Sequence, residues 1–353
     1  IADRVEEPLR LYALLEILIG CYGATTPWLF DLLQTAYVQV AGVVGVTGTY
    51  SHLPRFLVAT LAMLVPTFMM GGTLPLLVRH LAHQPVQAQA VTSRVYGINT
   101  LGATLGAFGA GFLLLPMFGI SVTLLLAAAI NLIVGLGVYL LLSGRFRTAS
   151  MVASGEAEEP GGEGMVLARP ALLLAGFGLS GFAALLYQVV WIHSLVLVIG
   201  VSVYAFSAVL TVYLAGVGLG SLVVGHFASR IKARNMMQLA FWLQLGISLS
   251  AVVSLSLISE LPVLFVHGWT ALHESYPLFQ SYMFLLVALV LFVPTLLLGA
   301  LFPLISAVWS SHKQAVGQGV GEAYGANAVG TIGGAAIGGL FILDWLGIAG
   351  SLY

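Results

Sequence analysis

The stretch VPTFMMGGTLPLL at residues 65–77 returns as VPTLLLGALFPLI at residues 293–305. Val65 and Val293 stand 228 positions apart, and the same interval carries VYGINTLGATLGAFGAGFLLLPMFGI (95–120) onto AYGANAVGTIGGAAIGGLFILDWLGI (323–348) without a gap. Pro66, Thr67, Gly71, Pro75, Tyr96, Gly97, Asn99 and Gly102 thus recur as Pro294, Thr295, Gly299, Pro303, Tyr324, Gly325, Asn327 and Gly330. Glycine abundance alone would not also hold two prolines, a tyrosine and an asparagine in register. Upstream, ALLEILIG (13–20) falls on FWLQLGIS (241–248) at the same interval, pairing Glu16 with Gln244. The chain reads as a duplication.

The repeated stretches are apolar, and so is the rest. The 353 residues are 59% hydrophobic and 7% charged, with net charge −1 and mean hydropathy +1.04. Soluble domains carry about 25% charged residues. Too little charge is present to cover a water-facing surface, which excludes an ordinary soluble enzyme, a nucleic-acid binder and a disordered tail. Lipid is then the main solvent, and only helices or closed barrels satisfy their backbone there. Apolar runs of about 20 to 30 residues, rather than alternating ten-residue runs, select helices. Ten segments qualify: 9–30, 55–80, 93–117, 119–143, 169–193, 199–228, 235–258, 278–309, 316–343 and one starting at Gly347. The mixed stretch 31–54 reads as a short interfacial helix. A single cysteine, Cys21, excludes a disulfide framework and a cysteine metal cluster.

Numbering the loops alternately separates the cations. One side holds Arg4, Arg10, Arg79, Arg94, Arg145, Arg147, Arg169, Arg230, Lys232, Arg234 and Lys313; the other holds only Arg55. The cation-rich side is the cytoplasmic one, so loops 79–94, 144–168, 229–235 and 310–316 are expected inside. Residues 144–168, rich in Gly, Ser and Glu, read as a flexible cytoplasmic linker. They divide an N-terminal helical half (1–143) from a C-terminal half (169–353). Both halves start and end inside, so the copies are expected to be parallel, related by an axis along the membrane normal. Aligning the copies also predicts that two spans precede Ile1 and that the last span continues past Tyr353. The expected fold is an all-α polytopic membrane protein, a parallel duplication of six-helix halves. Its first two helices are missing from this chain and its last is truncated.

Polar groups inside lipid-immersed helices are the best site candidates, because burying them there is expensive. Glu16, Asn99, Gln188, His193, Gln244 and Asn327 form the candidate cavity set, with interhelical hydrogen bonding as the alternative role. Pro66, Pro75, Pro294 and Pro303 are expected to bend their helices; the freed carbonyls beside Thr67 and Thr295 either line a cavity or belong to fixed kinks with no ligand. Arg94 and Glu322 stand at equivalent positions near cytoplasmic helix mouths. With Asp3, Arg4 and Arg230 they suggest a charged latch between the halves; plain snorkelling is the alternative. Tyr187, Gln188, Trp191 and His193 read as an interface belt or a pocket contact. The small-residue pairs Gly102/Gly106, Gly330/Gly334 and Gly216/Gly220 read as helix-packing faces. His80 and His83 lack a third ligand nearby, and no catalytic residue, metal site or cofactor site is identified.

GFGLSGFAALLYQVVWIHSLVLVIGVSVYAFSAVLTVYLAGVGLGS (176–221), VPTFMMGGTLPLLVR (65–79) and VYGINTLGATLGAFGAGFLL (95–114) resemble the membrane part of bacterial fused major-facilitator/spermidine-synthase proteins. ADRVEEPLRLYALLE (2–16) is similar to that family's cytoplasmic loop. The resemblance implies a major-facilitator-like fold in the bacterial inner membrane, with a cytoplasmic aminopropyltransferase-like domain following the last span. It implies a transporter-like domain handling a polyamine or another small solute for that enzyme. The competing reading is a non-transporting anchor or scaffold, holding its own cytoplasmic domain or other membrane subunits. In either case the lipid bilayer is a partner and nucleic acid is not.

Overall fold

The computed structural model describes residues 5–44, 52–82, 87–143, 169–227 and 233–338. Asp3, Arg4, Arg230, the linker 144–168 and the segment from Gly347 lie outside them. The regular structure of the described residues is helical throughout. In chain order the helices are α1 (Pro8–Val44), α2 (His52–Leu81), α3 (Ala88–Gly109), α4 (Leu115–Ser143), α5 (Pro170–Ile199), α6 (Val203–Phe227), α7 (Ala233–Leu272), α8 (Tyr276–Lys313) and α9 (Val316–Ile337). Seven helical stretches among the described residues are long and apolar enough to cross a bilayer. Phe68, Leu105 and Ile133 are 82%, 74% and 70% exposed; that much apolar surface is stable against lipid, not water. This is a multi-pass helical membrane protein.

Several boundaries depart from the sequence expectation. The stretch 31–54 does not begin a separate helix: α1 runs on through it to Val44. The seventh segment does not stop at 258, because α7 continues through Pro262 to Leu272. Proline removes only one helical bond, and Leu261 beside it is fully buried in a core with Trp191, Val287 and Leu291. At 40 residues, α7 is about 60 Å long, twice a hydrocarbon core of about 30 Å. The segment 316–343 forms α9 as far as it is described, but α9 is not among the seven apolar stretches. Its glycines and alanines, with Gln318, Glu322 and Asn327, dilute its hydropathy. Between α3 and α4 the chain makes a π turn at Ala110–Leu114 and then breaks at Gly119 (φ 72°, ψ −179°). Such a backbone favours glycine, and it divides an apolar stretch too long for one crossing.

Both α2 and α8 stay helical through two internal prolines each. A carbonyl freed by proline needs another donor in lipid. The carbonyl of Ala62, four residues before Pro66, accepts the Tyr22 hydroxyl of α1 at 2.5 Å. Thr67 and Thr295 turn back onto their own helices, donating to the carbonyls of Met63 (2.6 Å) and Leu291 (2.7 Å). Neither hydroxyl opens toward a cavity.

The chain forms two compact units that do not follow sequence order. One contains residues 1–80 and 114–161; the other contains 81–113 and 162–353. In the first, α1 packs on α4: a Cβ on Gly20 would come within 2.7 Å of Leu132, and one on Gly135 within 2.8 Å of Ile17. In the second, α3 joins α5–α9. Gly330, Gly334 and Gly338 of α9 meet Gly178, Phe182 and Leu186 of α5 in steps of one helical turn, so α5 and α9 are parallel. Gly216 and Gly220 of α6 meet Thr295 and Leu296 of α8, again in parallel. Contacts of Gly97 with Leu222 and of Gly111 with Ser207 set α3 antiparallel to α6. Of the expected small-residue faces, Gly102/Gly106 is the exception: a Cβ at either would meet nothing within 4 Å. Helix pairing in this unit uses the other face of α3.

Candidate functional site

Five helices of the second unit line a partly open cavity of about 240 Å³. Tyr96 comes from α3, Phe177 and Ser180 from α5, Tyr213 from α6, Phe302 from α8, and Tyr324, Asn327 and Thr331 from α9. Tyr96 and Tyr324 each lie eight residues from the start of their helices, a depth of about 12 Å. Ser180 lies ten residues into α5, about 15 Å. These depths are close to half the thickness of a hydrocarbon core.

One wall is aromatic. The Phe302 ring centroid lies 4.6 Å from that of Tyr96, 5.9 Å from Tyr324 and 6.2 Å from Phe177. Phe302 is therefore the shared contact of two tyrosines that are repeat mates in the sequence. Close helix approach makes the rest of the geometry. Gly181 of α5 lets α9 come near: a Cβ there would sit 2.6 Å from Asn327 Oδ1.

The polar lining divides into committed and free groups. The Ser180 hydroxyl donates to Gln244 Oε1 at 2.8 Å, and Thr331 donates to the Ala328 carbonyl at 2.8 Å. The Asn327 amide and the Tyr213 and Tyr324 hydroxyls have no hydrogen-bond partner among the described residues. Three unspent polar groups from α6 and α9 thus face a cavity deep in an apolar bundle. No lining residue is Asp, Glu, Lys, Arg or His.

Of the six polar residues expected at a cavity, the fold brings two together here. Asn327 lines it directly, and Gln244 of α7 is tied to it through Ser180. The other four are not among the lining residues. Glu16 is in the first unit, half-buried and hydrogen-bonded to Tyr12 one turn earlier on α1. Asn99, the repeat mate of Asn327, is exposed on α3, and Gln188 is half-buried on α5. His193 is exposed, its Nδ1 2.8 Å from the Val189 carbonyl of its own helix.

Trp191 is neither at an interface nor at the cavity. It is fully buried in the α5–α8 core and donates to Ser254 Oγ at 3.0 Å. Of the latch set, Arg94 is exposed on α3, and Glu322 is spent on the α8–α9 hairpin. Glu322 accepts from Trp309 Nε1 (2.8 Å) and Gln318 Nε2 (2.6 Å) and lies 3.5 Å from Lys313 Nζ. Among the described residues no three His, Cys, Asp or Glu side chains gather as a metal site. Sequence reasoning missed Tyr213, Phe177 and Phe302. The aromatic residues are scattered over the helices, and only the repeat drew attention to Tyr96 and Tyr324.

Comparison with known protein families, characterised proteins and solved structures finds no match to this chain.

Proposed function

We propose that this chain is a transporter-like membrane domain that binds a small solute in the α3–α5–α6–α8–α9 cavity. One observation carries the reading: unspent hydrogen-bonding groups of α6 and α9 face a cavity about halfway along their helices, inside a bundle built mainly of apolar helices. Polar groups are costly at that depth, and in membrane carriers solute sites sit near the bilayer midplane. The directions of α3 and α9 support a parallel duplication. Those repeat mates run the same way: α3 is antiparallel to α6, α6 is parallel to α8, and α8 folds back on α9. The sequence resemblance supports a place in the bacterial inner membrane beside a spermidine-synthase-like domain. Polyamine handling belongs to that resemblance; the cavity adds no carboxylate in its favour.

The test is uptake of radiolabelled spermidine, nicotinamide and glucose into proteoliposomes containing the full chain. The expected result is uptake of at least one solute above protein-free liposomes. It should be lost in Ala328→Phe, which fills the cavity from α9. A folded protein that takes up none of them would leave the anchor or scaffold reading in its place.

A further inference from the structure

We propose that the cavity selects an uncharged solute, one with a hydrogen-bonding edge and an apolar face, and that it turns away ions of either sign. The inference rests on the reading of this cavity as a solute site and gives it a chemical class.

The lining contains no side chain that carries a full charge near neutral pH. Glu322, five residues before Asn327, is the carboxylate nearest to the cavity along α9. It is held away by Trp309, Gln318 and Lys313. A solute cation would reach the bilayer interior with only ring faces to balance its charge. Aromatic faces attract cations, but a ring face replaces only part of the hydration that an ammonium group gives up in the bilayer interior. An anion would find phenol and amide donors but no fixed positive charge. A polycation fares worst, because each added charge is desolvated without a partner.

An uncharged solute meets no such cost. The Asn327 amide supplies both a donor and an acceptor, and the Tyr213 and Tyr324 hydroxyls can each do either. The Phe302 wall offers a surface for an apolar face. A volume of about 240 Å³ equals about eight waters at roughly 30 Å³ each, enough for a small amide, heterocycle or polyol.

The experiment needs no knowledge of the natural solute. In the full chain with Cys21→Ser, removing the exposed native thiol, a cysteine is placed in the cavity as Asn327→Cys. Thr331→Cys is made in parallel in case the first disturbs packing against Gly181. Each is reacted with 2-hydroxyethyl, 2-aminoethyl and 2-sulfonatoethyl methanethiosulfonate. The first two differ essentially in one group, hydroxyl against ammonium. Rates are divided by those of Arg94→Cys, an exposed control position.

The expected result is that the hydroxyethyl reagent outpaces both charged reagents by about tenfold or more after that correction, since charge is disfavoured at this depth. Equal rates, or faster reaction of the aminoethyl reagent, overturn the selectivity and leave the solute-site reading standing. If no reagent reaches either cysteine while Arg94→Cys reacts, the cavity is closed to solutes and both readings fall.

Discussion

At the scale of single residues, the best-defined polar arrangement is the one around Glu322. Two of its partners differ in kind. Trp309 is 4% exposed, so removing the carboxylate takes the acceptor from an indole N–H on a buried side chain. Lys313 pairs with Glu322 at 3.5 Å with both side chains about one-third exposed, where solvent screens the pair. An orphaned buried donor costs about 1–3 kcal/mol, and an exposed ion pair contributes about 0–1 kcal/mol. Glu322→Ala should therefore destabilise the protein by about 1–3 kcal/mol, and Lys313→Ala by less than about 1 kcal/mol. Denaturation in detergent micelles, followed by tryptophan fluorescence, checks the order; equal losses would mean the ion pair is the major contribution. The sequence placed Glu322 at a helix mouth but not its partners, because a charge two turns inside a helix has several neighbours within reach. The cavity was legible to a similar degree. Asn327 and Gln244 stood out as polar residues in apolar helices, but Phe302 and Tyr213 did not. An aromatic residue facing lipid and one facing a cavity look alike until helix rotation is known.

At the scale of helices, glycine decides which faces meet. The sequence showed small residues spaced at one turn on α3, α6 and α9, and spacing alone cannot tell a used face from an unused one. On α9, a Cβ at Gly330 would collide with the carbonyl of Gly178, which is backbone and cannot swing aside. On α3, a Cβ at Gly102 would meet nothing. Gly330→Ala should force α5 and α9 apart at a cost of about 1–3 kcal/mol. Gly102→Ala should gain about 0.5–1 kcal/mol from helix propensity alone. Thermal unfolding of the two variants in the same detergent should move their midpoints in opposite directions. A matching loss at Gly102 would show that its face is covered in the membrane, and that the packing role read from the sequence was correct there too.

At the scale of the molecule, the all-helical membrane character was readable from composition, and the helix positions in part from hydropathy. The exceptions are α1, which runs on to Val44, and α7, which continues past Pro262 where the buried Leu261 anchors it in the core. Helix directions carry the most weight here, because they connect the cation count to the topology. Within the second unit α3, α5 and α9 run one way and α6 and α8 the other. Arg94 lies in the second turn of α3, Arg169 immediately precedes α5, and Lys313 ends α8. Those directions put all three cations at the same end of the unit. Loop counting reached the same grouping from sequence alone, and it set Arg55, at the start of α2, on the opposite side. Single cysteines at these four positions, on the Cys21→Ser background, therefore have a defined order of exposure to an impermeant thiol reagent. Arg94→Cys, Arg169→Cys and Lys313→Cys should react in inverted vesicles and be protected in right-side-out ones, as the positive-inside rule requires. Arg55→Cys should do the reverse. If Arg169→Cys and Lys313→Cys react from different sides, an odd number of crossings separates them. The parallel duplication then fails, and the solute cavity loses the symmetry that relates Tyr96 to Tyr324.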